Sequence, residues 1–152
     1  MLDEKLKRFL AGPVMQVLCV GDADGRPVIG RCCGLLVESS DVIELVLSQW
    51  QWPRVAPLIG DGGNVAVTFM VPASYECYQV KGTATLTAVT ERHIDAARGY
   101  VAQTFVSLQS LGLPRPAGDA YFTYADPAVV RIRVEKIYLQ TPGANAGQRL
   151  EQ

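Results

Sequence analysis

The residue pattern predicts a mainly β fold, a six-stranded antiparallel barrel with flanking helices. Two observations carry that expectation. Six apolar segments with strand character are separated by short clusters of turn formers, and the chain holds eighteen valines, a β-branched residue suited to pleated surfaces. Six such strands are best disposed in a closed or nearly closed sheet, which leaves no exposed edges. The helical segments would then cover the barrel's openings or seams.

The opening, Asp3 to Leu10, reads as a short amphipathic helix with Leu2, Leu6, Phe9 and Leu10 on one stripe, stopped by Gly12-Pro13. Val14 to Val20 reads as a strand. Turn formers fill Gly21 to Pro27, and a second strand runs from Val28 to Val37. Ser39-Ser40-Asp41 turns the chain into a third strand, Val42 to Ser48. Trp52 to Ile59 is expected to be a short helix with Pro53 in its first turn. Asp61-Gly62-Gly63-Asn64 reads as a turn before the strand Val65 to Met70.

A long extended run follows from Tyr75 to Val89. Gly82 inside it suits a bulge or a close backbone approach better than a flat strand centre. Thr90 is a suitable N-cap for a helix reaching Leu111, in which Ile94, Ala97, Val101, Phe105 and Leu108 recur at three and four and predict the buried face. Leu113 to Gly118 is a loop, and Val129 to Leu139 is the last strand. A single domain over residues 1–140 with a C-terminal tail over 141–152 is expected, since 152 residues suit one domain.

Hydrophobic residues make up 49% of the chain and charged residues 19%, which excludes disorder as a description of the whole. Fourteen basic against fifteen acidic residues give a net charge of −1, which argues against a nucleic-acid surface. The first residues show no apolar stretch of the secretory kind, and no apolar run nears the roughly 18 residues a membrane helix needs. A cytoplasmic protein without membrane partners is the expectation. The four cysteines, Cys19, Cys32, Cys33 and Cys77, have no CxxC spacing and read as small buried hydrophobes. The only histidine, His93, rules out a histidine-rich metal site within one chain and is expected to face solvent on its helix. Phosphate-loop, nucleophile-elbow and zinc-protease motifs are all absent.

Three stretches stand out. Arg31 interrupts an apolar strand and shares a face with Ile29, Cys33, Leu35 and Val37. A permanent charge there needs a counter-anion or a route to solvent, and either a bound phosphate or a structural carboxylate would serve. Ser48-Gln49-Trp50-Gln51-Trp52-Pro53-Arg54 gathers a hydroxyl, amides and a guanidinium between two indoles at a strand end. Its alternative reading is a strand cap with two packing aromatics. In Tyr75 to Gly82, Cys77, Gln79 and Lys81 share one face. Gln79 has the donors and acceptor to read a heterocycle's amide edge, while Lys81 reads as solvated.

Together these stretches resemble the FMN-binding split-barrel flavoproteins, the superfamily of pyridoxamine 5′-phosphate oxidase. The resemblance rests on Arg31-Cys32-Cys33-Gly34-Leu35-Leu36, Val46 to Arg54, Cys77-Tyr78-Gln79-Val80-Lys81-Gly82 and Arg133-Val134-Glu135, and spans residues 5–140. It implies a split barrel that binds FMN as a homodimer. Arg31 and Arg54 would hold the phosphate, with Ser48 donating a hydroxyl and Gln49 beside it, backbone groups of Cys32 and Cys33 along the flavin, and Gln79 arriving from the partner subunit. It further implies an oxidoreductase passing electrons or hydride to an unidentified small molecule. The alternatives are a deazaflavin or haem ligand in the same fold, or a binding barrel without catalysis. Leu36 stands where the oxidases carry a substrate-binding Lys, Cys77 where they carry a flavin-contacting Gln, and Ile137 where they carry a Trp. The tail also lacks their Arg-x-His signature. These departures argue against vitamin B6 as substrate.

Overall fold

The computed structural model describes residues 2–114 and 121–150. In chain order the elements are α1 (Glu4–Leu10), β1 (Met15–Gly21), β2 (Pro27–Val37), β3 (Val42–Ser48), α2 (Ala56–Ile59), β4 (Asp61–Met70), β5 (Cys77–Thr87), α3 (Glu91–Ser110) and β6 (Pro127–Leu139). The six strands close into a barrel of order β1-β2-β3-β6-β5-β4, with neighbouring strands antiparallel throughout. The predicted fold class is the observed one. Residues 115–118 of the predicted loop lie outside the described residues.

The barrel interior is filled by one side of each strand, including Leu18, Val20, Cys32, Leu45, Leu47, Val67, Phe69, Val80, Val130 and Ile132. α1 turns Leu6 and Leu10 into this core, and Phe9 meets Tyr78 edge-on at 4.8 Å. Asp3 caps α1 by accepting the Leu6 N–H at 2.7 Å. Val55, Ala56 and Ile59 join the same core from the other connection. α3 instead lies outside the barrel, across β2 and β3. It comes so close at Gly34 that a Cβ there would stand 2.9 Å from the Ala97 backbone. A second apolar cluster fills that seam: Cys33, Val46, Ala97, Tyr100 and Phe122.

Several local expectations change. α2 is a single turn over Ala56–Ile59 with Pro57, not Pro53, near its start. Pro57 has no N–H to give to residue 53, so a helix running through from Trp52 would lose that bond. The turn-forming residues Asp61 to Asn64 are absorbed into β4, where a register shift accommodates them against β5. β2 is not regular either. Its pairing with β3 shifts between Cys32 and Leu35, so Leu35 and Val37 pack toward the barrel core while Cys33 packs under α3. The five residues expected on one face, Arg31 among them, are therefore divided between two sides.

The buried stripe of α3 is also rotated from the predicted one. His93, Ala97, Tyr100 and Thr104 are buried, while Ile94, Val101, Phe105 and Leu108 flank them. His93, expected in solvent, is only 5% exposed. Its Nδ1 accepts the Thr90 N–H at 3.0 Å, and its Nε2 lies 2.8 Å from Glu44 Oε2 on β3. With Nδ1 an acceptor, Nε2 carries the proton that goes to the carboxylate. Arg131 on β6 holds the other Glu44 oxygen. A carboxylate inside the apolar run of β3 thus draws the first turn of α3 onto the barrel.

Burial alone pushes the Glu44 carboxyl up, but its hydrogen bonds to His93 and Arg131 outweigh that and hold it below the ordinary carboxylate range. A depressed folded-state value means the unfolded chain binds more protons. The stabilisation is therefore complete above the unfolded value of about 4.3 and is lost as pH falls through the lower folded value. Urea midpoints of the wild type should fall more steeply than those of Glu44→Gln from about pH 6 to about pH 3. Parallel curves would remove Glu44 from the acid response.

The C-terminal residues fold back on the barrel. Leu139 N–H donates to Gln148 at 2.9 Å, Leu150 N–H donates to Ile137 at 2.9 Å, and Leu150 packs on the core.

Candidate functional site

Arg31 projects from the outer side of β2 into the seam beside α3. Its guanidinium carbon lies 3.3 Å from the centroid of the Tyr121 ring and 5.6 Å from those of Trp52 and Phe122. Nη2 donates to the Tyr121 carbonyl at 3.3 Å. Nη1 is buried and has no hydrogen-bond partner among the described residues. Neither a carboxylate hydrogen bond nor an ion pair reaches Arg31 there. Of the two answers the sequence left open, the structural carboxylate is the one absent among the described residues. Burial lowers the guanidinium's pKa, while Tyr121 and Tyr100 act the other way.

The buried indole N–H of Trp52 is likewise unpaired. Its ring forms part of the wall of a cleft of about 560 Å³ that also contains Arg54, Gln51, Arg26 and Ile29. Trp52 therefore lies beside Arg31 and also in the cleft that holds Arg54. Arg31 itself is not part of the cleft wall. The two arginines are neighbours of the same indole without sharing one cavity.

The remaining predicted residues are placed as follows. Ser48 Oγ donates to the Ala125 carbonyl at 2.7 Å, and Gln49 Nε2 reaches Asp126 Oδ1 at 3.4 Å. Their donors tie down the segment leading into β6. Gln51 Nε2 reaches the same Tyr121 carbonyl as Arg31, at 3.3 Å. Residues 121–126 are thus fastened by the side chains that the sequence offered to a ligand. Cys32 points into the barrel core and Cys33 into the α3 seam, where its Sγ lies 3.6 Å from the Val46 carbonyl. Burial raises the Cys32 thiol well above its ordinary range and the Cys33 thiol to about 12, so both stay protonated and unreactive. Cys32 is paired on both sides, with Gln16 and Leu47, whereas Cys33 lies in the irregular stretch of β2.

Gln79 sits on the outer side of β5, with Nε2 3.3 Å from Thr68 Oγ1. The registers Arg31–Val17, Val17–Thr68 and Thr68–Gln79 place Arg31 and Gln79 at the ends of one row across β2, β1, β4 and β5. Three strand steps separate them around the closed barrel, which puts them on opposite walls. One protomer does not bring them into contact. Lys81 is exposed, as expected, with Nζ 5.1 Å from the Tyr138 ring.

Three residues of this site escaped the sequence reading: Tyr100, Tyr121 and Phe122. No local pattern marks Tyr121, because the charge it covers lies on β2, 90 positions earlier.

Among solved structures, HupZ of Group A Streptococcus superposes with a TM-score of 0.60 at 20% identity, covering 97% of this chain and 100% of that one. A candidate pyridoxamine 5′-phosphate oxidase from Lactobacillus delbrueckii gives 0.56 at 16% identity, covering 90% and 93%. A protein named F420 reductase gives 0.54 at 14%, covering 86% and 94%. The chain has the split-barrel fold. Identities this low carry the split barrel alone and no activity with it. No family model and no curated protein matches the chain.

Proposed function

We propose that this split barrel is an FMN-binding flavoprotein, with Arg31 as the principal ligand of the cofactor's phosphate. The observation that carries the reading is the guanidinium in the α3 seam, stacked on an aromatic ring, with Nη1 buried and unpaired. A buried donor without a partner costs about 1–3 kcal/mol, and a phosphate oxygen relieves that cost with a charge-assisted bond. The unpaired Trp52 N–H adds a second donor beside it. Arg54, across the indole, lends positive charge from the neighbouring cleft. Ser48 contributes by fixing the Ala125 carbonyl, so its part is to hold the strap formed by residues 121–126.

When bound, FMN supplies the two-electron chemistry, accepting or giving hydride at its ring system. The chain's own residues bind and orient it and keep water from it. Tyr121 and Phe122 shield the Arg31 side of the site. Gln79 would reach the ring from a second copy of the chain, because in one protomer it stands on the wall of the barrel opposite Arg31. A deazaflavin presents the same kind of anion to Arg31 and is the second reading this observation favours. Haem is disfavoured as far as histidine ligation goes, because His93 is committed to Glu44 and Thr90.

The test is an absorbance spectrum of the purified protein, repeated after denaturation and after addition of FMN. Two visible bands, released with the cofactor, are the expected result. One near-visible band would replace FMN with a deazaflavin, and a Soret band would replace it with haem. A colourless protein that takes up no FMN would overturn the flavin reading and leave a binding barrel.

A further inference from the structure

The cleft of about 560 Å³ beside Trp52 has a wall of its own, in which Arg31 takes no part. The turn after β1 and the start of β2 form one side, and the chain from Gln51 to Val55 forms the other. That second side is packed directly on β2: a Cβ at Gly30 would stand 2.9 Å from Val55 Cγ2 and 3.2 Å from Trp52 Cβ. Pro27, Ile29, Pro53 and the indole of Trp52 give the wall apolar surface, and Arg26 and Arg54 give it charge. Arg26 shares its charge with Asp24 at 3.2 Å, whereas Arg54 has no ion pair or hydrogen bond among the described residues. Asp22, the acid in the wall, is held in its turn by accepting the Asp24 and Arg26 N–H groups at 3.0 and 2.8 Å. Gln51 gives its Nε2 to the Tyr121 carbonyl and keeps its Oε1 as an acceptor.

A flat heterocycle stacks on an aromatic ring, an amide oxygen accepts from an exocyclic N–H, and a guanidinium binds phosphate through its fork. One ligand class unites those three needs. We propose that this cleft binds a nucleoside phosphate, its base against Trp52 and its phosphate on Arg54. The inference goes beyond the reading of Arg31 and stands without it. Two sources carry the same chemistry: the nucleotide half of a flavin dinucleotide whose other phosphate lies at Arg31, and a nicotinamide dinucleotide that donates electrons.

The test is isothermal titration with ADP and with adenosine. The proteins are the wild type, Arg54→Ala, Arg54→Lys, Arg26→Ala and Arg8→Ala. ADP should bind the wild type, and Arg54→Ala should weaken it about tenfold or more. Adenosine, which has no phosphate, should bind both alike. Arg54→Lys should recover part of the loss, because it keeps the charge without the fork. Arg26→Ala should lose less than Arg54→Ala, since its charge is already shared. Arg8, exposed on α1 and outside the cleft wall, controls for the change in net charge, and Arg8→Ala should match the wild type. Failure of ADP to bind, or equal losses in Arg54→Ala and Arg8→Ala, would overturn the proposal. Displacement of ADP by FMN would merge the cleft with the Arg31 site and overturn it too. Displacement by FAD but not FMN would support the flavin dinucleotide, and displacement by NADPH with FMN still bound would support the electron donor. ADP held through Arg54 by a protein that takes up no flavin would keep the nucleotide site and remove the flavin reading; FMN uptake without ADP binding would do the reverse.

Discussion

Arg31→Ala is expected to lower FMN affinity about a hundredfold while leaving the urea midpoint nearly where it was. A charge-assisted hydrogen bond from the unpaired Nη1 to phosphate is worth about 1.5–3 kcal/mol, whose upper end is about a hundredfold in affinity, and alanine removes it. The effect on folding is small because two contributions oppose one another. The stacking of the guanidinium on Tyr121 at 3.3 Å contributes about 0.5–2 kcal/mol. The unpaired Nη1 costs about 1–3 kcal/mol in the free protein. Deleting the side chain removes both the gain and the cost. Isothermal titration with FMN beside urea denaturation separates the two quantities. Equal FMN affinities in wild type and variant would remove Arg31 from the binding site, and a collapsed midpoint with FMN binding retained would make it a structural residue.

Gly82→Ala is expected to cost about 3 kcal/mol or more, beyond the usual range for overpacking, since the obstacle is backbone. A Cβ at Gly82 would stand 1.9 Å from the Arg133 carbonyl oxygen and 2.9 Å from its carbon. No rotamer relieves such a contact, so β5 and β6 must separate where their register shifts between Lys81 and Gly82. A domain of this size has only about 5–15 kcal/mol of total stability, so the loss is a large share of it. Urea unfolding followed by circular dichroism reads the effect. A midpoint equal to the wild type's would show that the two strands do not approach closely at Gly82. The neighbouring Lys81→Ala, on an exposed side chain, should change little by comparison.

Gly82 is one place where a local reading sufficed. A glycine inside a long β-branched run requires a reason, and close approach of another backbone supplies it. Thr90 as the start of the long helix was legible for a similar reason: the cap and the periodicity after it agree. His93 was not legible. Three residues into a helix it has the pattern of a solvated position, and what buries it is Glu44, 49 residues earlier in the chain. The face of β2 failed in the same way, because a period-two pattern carries no sign of the bulge that moves Leu35 and Val37 to the core side.

The amino-acid sequence by itself determined the number and order of strands, the long helix with its cap, and Arg31 as a charge requiring explanation. These properties follow from periodicity, turn chemistry and the cost of burying a cation, all of which act over a few residues. Only the tertiary structure decided that no carboxylate among the described residues answers that charge. It also decided that Tyr121 covers it from 90 positions along the chain. Closure of the barrel brings β2, α3 and the segment before β6 into one seam. A contact made by closing a barrel depends on every strand in between, so it leaves no mark on the local pattern of any one of them.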